Sequence, residues 1–281
     1  MKVVNELGIE WLSVFSMPPV EFVHFAADLQ CFCIGITPIS IQHYNPHRYP
    51  YWSLRDDVQL RRGMEAAMRD RGVRITLFEG FSVQPGVDSG KCASDLDLVW
   101  ELGGERINIV SYDPDEQRTF DEFARVAEMG AERGLEVVTE VGSIVNLPTA
   151  LRAVDAVARP NFKLLLDTMH FFRMGWTLND LAAIDPARIG HVQLCDATWA
   201  PELPSYREEA LHERRCPGAG ELPLSEFLES IGEGVVVGLE VPRRSLAELG
   251  FTAEQRMRPC IDAARVLVSR VRSIREKDYQ Q

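Results

Sequence analysis

The chain has 281 residues, 46% of them hydrophobic and 26% charged, with a formal charge of −12 at pH 7. That composition can bury a sizeable core in one or two domains, and its acidity argues against a nucleic-acid partner, which needs a basic footprint. No apolar run approaches the roughly 18 residues of a membrane span, and the opening MKVVNELGIEWLSVF lacks the charged-then-apolar layout of a signal peptide, so a cytoplasmic protein without a membrane partner is expected.

Short β-type runs alternate with helical patterns from end to end, the signature of βα units around a parallel sheet. The first strand is expected over 11–16 and the first helix over 19–29; a strand over 31–37 then leads into the long loop PISIQHYNPHRYPYW at 38–52. A helix over 54–71, capped by Ser53 and stopped by Gly72, precedes a strand over 73–79 that ends in Glu79. There follow a helix over 91–102, a strand over 106–111, a helix over 120–133 between Thr119 and Gly134, and a strand over 135–140 ending in Glu140. Asn146 caps a helix over 147–158, a strand over 162–167 ends in Asp167, and Thr177 caps a helix over 178–184. The strand over 189–195 opens the second long loop, 197–222, before a helix over 224–231, Gly232, a strand over 235–240, and a final helix from Thr252 to about Lys277.

Eight parallel strands, each followed by a helix and with no linker, close most simply into one α/β domain spanning 1–281, a (β/α)8 TIM barrel. An open doubly wound sheet would usually carry a phosphate-binding glycine loop after its first strand, and SVFSMPPVEF has none. The segment GVDSGK at 86–91 is one residue short of a P-loop and continues with Cys92. The six cysteines contain no C-x-x-C pair, so neither a zinc ribbon nor a disulfide framework is expected and all should be reduced thiols. The basic RVLVSRVRSIREK near the end reads as a solvated helix face, and the long last helix could cover the barrel bottom or serve a homo-oligomer contact.

Barrel enzymes project their reactive groups from the C-terminal ends of several strands. Here those ends carry Glu140, Asp167, then His191, Gln193 and Asp196, and finally Glu240. Three carboxylates and an amide oxygen at one mouth repel one another unless a cation sits between them. An all-oxygen shell favours one divalent ion, Mn2+ or Mg2+, over Zn2+. An ion of that kind polarises a carbonyl so that the neighbouring C–H can be removed, leaving a metal-bound enediolate, with Glu140 and Glu240 as acid/base groups. His170 would orient substrate, shuttle a proton or support a neighbouring carboxylate, and His191, one layer deeper, would pack in the interior. Glu79 would be a substrate-binding acid, an extra proton donor or a loop anchor. The first long loop offers His43, Tyr44, His47, Arg48, Tyr51 and Trp52 for covering a substrate. Arg214 and Arg215 would bind a carboxylate or phosphate, or else pair on the surface with Glu208, Glu209 or Glu213.

In this order and spacing, LLLDTMH (164–170), GHVQLCDA (190–197), PGAGELPL (217–224) and GLEV (238–241) resemble the xylose isomerase-like TIM barrels, which include sugar-phosphate isomerases and epimerases. The resemblance implies a metal held by Glu140, Asp167, Gln193 and Glu240, and an arginine near the Pro-Gly turn that contacts substrate. Gln193 stands where the commoner H-x-H pattern has its second histidine, which is similar to the hydroxypyruvate isomerase and 3-dehydroshikimate dehydratase branches. The expected function is a metal-dependent isomerase or epimerase acting on a small sugar or keto-acid. The alternatives are a lyase of the same fold that dehydrates a cyclic keto acid or keto-sugar, and a non-catalytic sugar-binding barrel. An abasic-DNA endonuclease would need a histidine-rich zinc cluster and a basic groove, against six histidines and a charge of −12.

Overall fold

A computed structural model describes residues 6–42, 45–142 and 144–278. Eight strands, β1 (Leu7–Ile9), β2 (Cys33–Ile36), β3 (Arg74–Val83), β4 (Arg106–Ser111), β5 (Glu136–Val141), β6 (Phe162–Asp167), β7 (Ile189–Leu194) and β8 (Val236–Leu239), pair in chain order into a closed barrel. All eight junctions are parallel. The helices are α1 (Trp11–Val14), α2 (Pro19–Asp28), α3 (Val58–Arg71), α4 (Ala93–Glu101), α5 (Glu116–Ala131), α6 (Leu147–Val157), α7 (Thr168–Arg173), α8 (Leu178–Ala182), α9 (Tyr206–His212), α10 (Leu224–Ser230), α11 (Arg244–Glu248) and α12 (Ala253–Asp278). The fold is therefore the expected TIM barrel. Among the described residues no helix is long and apolar enough to cross a membrane.

The first strand is displaced from its expected place. Strand pairing falls on Leu7–Ile9, with Gly8 opposite both Cys33 and Gly238, whereas residues 11–14 form a helical turn that ends in left-handed Phe15 and Ser16. The apolar side chains of that turn are buried all the same, Leu12, Val14 and Phe15 among them, so burial without strand geometry produced the β-like run. Two caps also move. Asp57 rather than Ser53 accepts from Leu60 N and starts α3, and Asp115 rather than Thr119 accepts from Arg118 N and starts α5. Asn146 and Thr177 cap as expected, and Thr252 accepts from Gln255 N at 3.2 Å.

Inside the barrel, Leu77, Val138 and Leu165 form a small apolar cluster of their own. On the other side Glu10 turns inward from the end of β1 and meets His191 Nε2 at 2.7 Å. Its carboxyl lies where Gly35 and Gly238 lack side chains: a Cβ added at either would come within 1.6 Å of a Glu10 oxygen. His191 is thus an interior residue, as expected, with a buried acid as its partner.

The cysteine expectation fails for one pair. Cys216 and Cys260 form a disulfide, while Cys31, Cys33, Cys92 and Cys195 are free. The pair is 44 residues apart and joins the turn after β7 to α12. Only the closure of the barrel brings those segments together, so spacing could not show it.

Candidate active site at the barrel mouth

The register delivers the site. Asp167 pairs with Gln193 and Gln193 with Gly238, which sets the ends of β6, β7 and β8 level with one another. Leu164, Leu165 and Leu166 are fully buried, which pins β6 and holds Asp167 at the rim. Asp167 is also the N-cap of α7, accepting from His170 N at 2.8 Å, so one strand-to-helix turn places both Asp167 and His170.

From there the polar contacts run in a closed ring. His170 Nε2 lies 3.1 Å from Glu140 Oε1. Arg214 Nη1 donates to Asp167 Oδ2 and lies 3.0 Å from Glu240 Oε2. Gln193 Nε2 donates to Glu240 Oε1 at 3.2 Å and to Glu79 Oε1 at 2.8 Å. Asn108 Nδ2 donates to Glu79 Oε2 at 3.0 Å and to Glu140 Oε2 at 3.3 Å, which closes the circuit. Tyr206, on α9, hydrogen-bonds His170 Nδ1 from outside the ring.

Four carboxyls against one arginine and one histidine leave the ring short of positive charge, and the protonation states respond. Burial pushes Glu79 up to about 8, reinforced by Glu140 and Glu10. Burial likewise holds Glu240 well above the usual carboxylate range, and Arg214 only partly offsets it. For Asp167 burial pulls upward, yet Arg214 and His170 beside it outweigh burial and keep it below its ordinary value. Burial would lower His170, but Asp167 and Glu140 raise it on balance. Burial also sends the Tyr206 phenol well upward, so it stays protonated. It occupies Nδ1 and leaves Nε2 to face Glu140.

The expected site residues separate clearly. Glu140, Asp167, Gln193, Glu240, His170, Glu79 and Arg214 are all brought together. Arg215 is not: it pairs with Glu202 at the half-exposed surface, its Nε 2.7 Å from Glu202 Oε2. His43 and Tyr44 lie outside the described residues. Asp196 organises the Pro-Gly turn, accepting from Gly218 N at 2.8 Å and Leu222 N at 3.2 Å. Two residues went unnoticed in the sequence. Asn108 is an inward position of a strand whose end carries no charge, and its alternation with Arg106 and Val110 was the available signal. Tyr206 opens the short helix α9, which lies inside the stretch 197–222 expected to be a loop, where no periodicity marked it.

Whether the donors fit a metal can be judged from their atoms. Gln193 Oε1 is buried and has no hydrogen-bond partner, an unusual state for a buried carboxamide oxygen. Asp167 and Glu240 converge on one point, the Arg214 nitrogen that both contact. Hard oxygen donors of this kind suit a divalent ion. Among the described residues no three His, Cys, Asp or Glu side chains converge as a ligand cluster, and the Arg214 guanidinium contacts both Asp167 and Glu240. The donor atoms are of a type that suits an ion, and the Arg214 guanidinium occupies the point on which two of them converge.

A closed parallel barrel with an acidic ring at its C-terminal rim defines the class of protein. Residues 34–267 match the family described as Xylose isomerase-like TIM barrel, and the chain belongs to that family. An IolI protein crystallised with a zinc atom is 17% identical, with a TM-score of 0.76, and the alignment covers 96% of this chain and 99% of that one. A xylose isomerase-like TIM barrel/4-hydroxyphenylpyruvate dioxygenase fusion protein is 21% identical at a TM-score of 0.75, covering 98% of this chain but only 44% of the fusion. D-psicose 3-epimerase with D-tagatose, from Clostridium cellulolyticum H10, is 16% identical at 0.69, covering 95% and 99%. At these identities the likeness is one of fold. No curated protein matches the chain in sequence.

Proposed function

We propose that this chain is a divalent-metal-dependent isomerase or epimerase of a small sugar-like hydroxycarbonyl compound, working through an enediolate. The observation that carries the reading is the ring itself: carboxyls from β3, β5, β6 and β8 linked by two carboxamides, Gln193 and Asn108, whose oxygens are both buried and left free. Glu140, Asp167, Gln193 and Glu240 would hold the ion, Mn2+ or Mg2+. When bound, it would supply Lewis-acid polarisation of the substrate carbonyl.

The remaining work falls to the chain's own groups. Glu140, oriented by His170 and Asn108, is placed to take the proton from the carbon beside the carbonyl, and Glu240 to return one across the ring. His170 Nε2–H donates toward that same face. Arg214 supplies a planar fork for a substrate oxygen or carboxylate. Glu79, holding its proton near neutral pH, is a donor that an isomerase or a dehydratase could use. The substrate is a small sugar or keto-acid, the sugar class being favoured by structural neighbours with D-tagatose and with D-allulose.

The test is elemental analysis of the purified protein together with a screen of keto-sugars and keto-acids, with and without chelator. Bound divalent metal, and turnover that chelator removes and Mn2+ restores, are expected, and Glu240→Gln should abolish turnover while leaving the fold intact. No retained metal and no rescue by Mn2+ would move the assignment to a sugar-binding barrel. A product with strong enone absorbance would move it to a lyase.

A further inference from the structure

Two arginines near the barrel mouth have no carboxylate partner among the described residues. Arg243 donates from Nη1 to Cys216 Sγ at 3.4 Å. Arg256 is fully buried, bonded to Ser13 O at 3.0 Å and His47 Nε2 at 3.1 Å, with its guanidinium 4.9 Å from the Phe15 ring and its Nε without an acceptor. A buried cation without a counter-charge is costly and calls for a reason. Both flank the one disulfide: Arg243 touches Cys216, and Arg256 precedes Cys260 by one turn of α12. A guanidinium beside a sulfur favours thiolate over thiol, which marks Cys216 as the reactive member of the pair. Cys216 is partly exposed and Cys260 fully buried, so a reagent has one sulfur within reach.

We propose that Cys216–Cys260 is a thiol–disulfide exchange site, opened by an external dithiol, and that its state sets how firmly the loop carrying Tyr206 and Arg214 is held over the mouth. A thiolate of the dithiol attacks Cys216 Sγ, the S–S bond breaks, and its electron pair leaves with Cys260 as thiolate. The second sulfur of the dithiol then displaces Cys216, also as thiolate, and closes the reagent's own disulfide. Two electrons pass to the protein, and the two protons shed by the dithiol go to the two cysteines. Arg243, beside Cys216, attracts the attacking thiolate in the first displacement and stabilises the departing Cys216 thiolate in the second.

The consequence for the loop follows from its anchors. Arg214 lies two residues before Cys216, and its backbone N donates to Pro242 O at 2.8 Å, while Glu213 accepts from Ser245 N at 2.6 Å. The disulfide is the covalent member of this set, tying the loop to α12. Its opening leaves the segment to its hydrogen bonds and to the ion pairs of Arg214 and Arg215. This inference does not rest on the assigned reaction, since its readouts are thiol state and backbone exchange.

The experiment titrates the purified full chain between dithiothreitol and diamide, traps thiols with iodoacetamide and maps the peptides. A single two-electron transition confined to Cys216 and Cys260 is expected, with Arg243→Gln reduced about tenfold more slowly. Amide exchange over 206–216 should quicken about tenfold on reduction, and a Cys216→Ser/Cys260→Ser variant should show the fast exchange even under oxidant. Free alkylation of both cysteines after diamide, reduction of Arg243→Gln at the wild-type rate, or equal exchange in the two states would each overturn the proposal.

Discussion

The buried pair beneath the ring offers the sharpest test of the electrostatics. Glu10 is 1% exposed, bonded through Oε1 to His191 Nε2, and its Oε2 has no partner. Burial, opposed by Arg106 and reinforced by Asp167, pushes its carboxyl from 4.5 up to about 8. Burial, helped by Arg106, drives His191 well below its ordinary value, so the pair is neutral and Glu10 is the donor. In the unfolded chain Glu10 ionises near 4.5; in the folded chain it keeps its proton until about 8. The unfolded state therefore loses the proton first, and the stability contributed by this group, fully present below pH 4.5, is lost as pH rises toward 8. Between pH 5 and pH 8 the loss comes to about 3.5 kcal/mol, from 1.36 kcal/mol per unit of displacement. Glu10→Gln retains a donor to His191 and cannot ionise. Urea denaturation of both proteins from pH 5 to pH 8 should show the variant gaining about that much on wild type. A difference that stays flat within about 0.5 kcal/mol would mean that Glu10 is not a buried neutral acid.

Arg214→Met leaves Asp167 and Glu240 buried without their cation, which should cost about 3–5 kcal/mol. Added Mn2+ should recover more stability in the variant than in wild type, and equal thermal shifts would show that guanidinium and ion do not compete. Tyr206→Phe removes the O–H that sets the His170 tautomer; imidazole 15N shifts should report the change, with kcat falling about tenfold at near-constant stability. Gly238→Ala places a Cβ 1.6 Å from Glu10 Oε1 and should cost about 3 kcal/mol or more. A Glu10→Ala background should return part of that loss, and strict additivity would count against the close approach.

Much of the barrel was legible because its strands are continuous apolar runs bounded by caps. The β6 run FKLLLD coincides with its observed limits, and the β4 limits also coincide. The first strand was not legible, because three residues pair and the more apolar run after them is helical. Strand-end carboxylates were legible through position alone: a charge directly after a buried run must be answered by something. What position could not supply was the partner. Arg214 was visible as a basic residue before a Pro-Gly turn, but its insertion between Asp167 and Glu240 depends on a loop conformation built by Asp196 and the Cys216–Cys260 link. Arg215, adjacent in sequence and identical in type, faces the other way and meets Glu202. Sequence could not distinguish the two.

Gln193 shows why the ring needs an amide at its centre. A carboxamide nitrogen carries two protons, and here both are used, one toward Glu79 at 2.8 Å and one toward Glu240 at 3.2 Å. The oxygen of the same group remains a buried acceptor, unpartnered. An imidazole at this position has a single atom at its tip, which can donate or accept but not do both, so it could serve a cation only by giving up the bridge between two carboxyls. With glutamine the bridge and the free oxygen coexist, and Asn108 repeats the device between Glu79 and Glu140. Glu79 is thereby joined to both groups assigned to proton transfer. Gln193→His should for that reason disturb Glu79, across the barrel on β3, as well as the neighbouring Glu240.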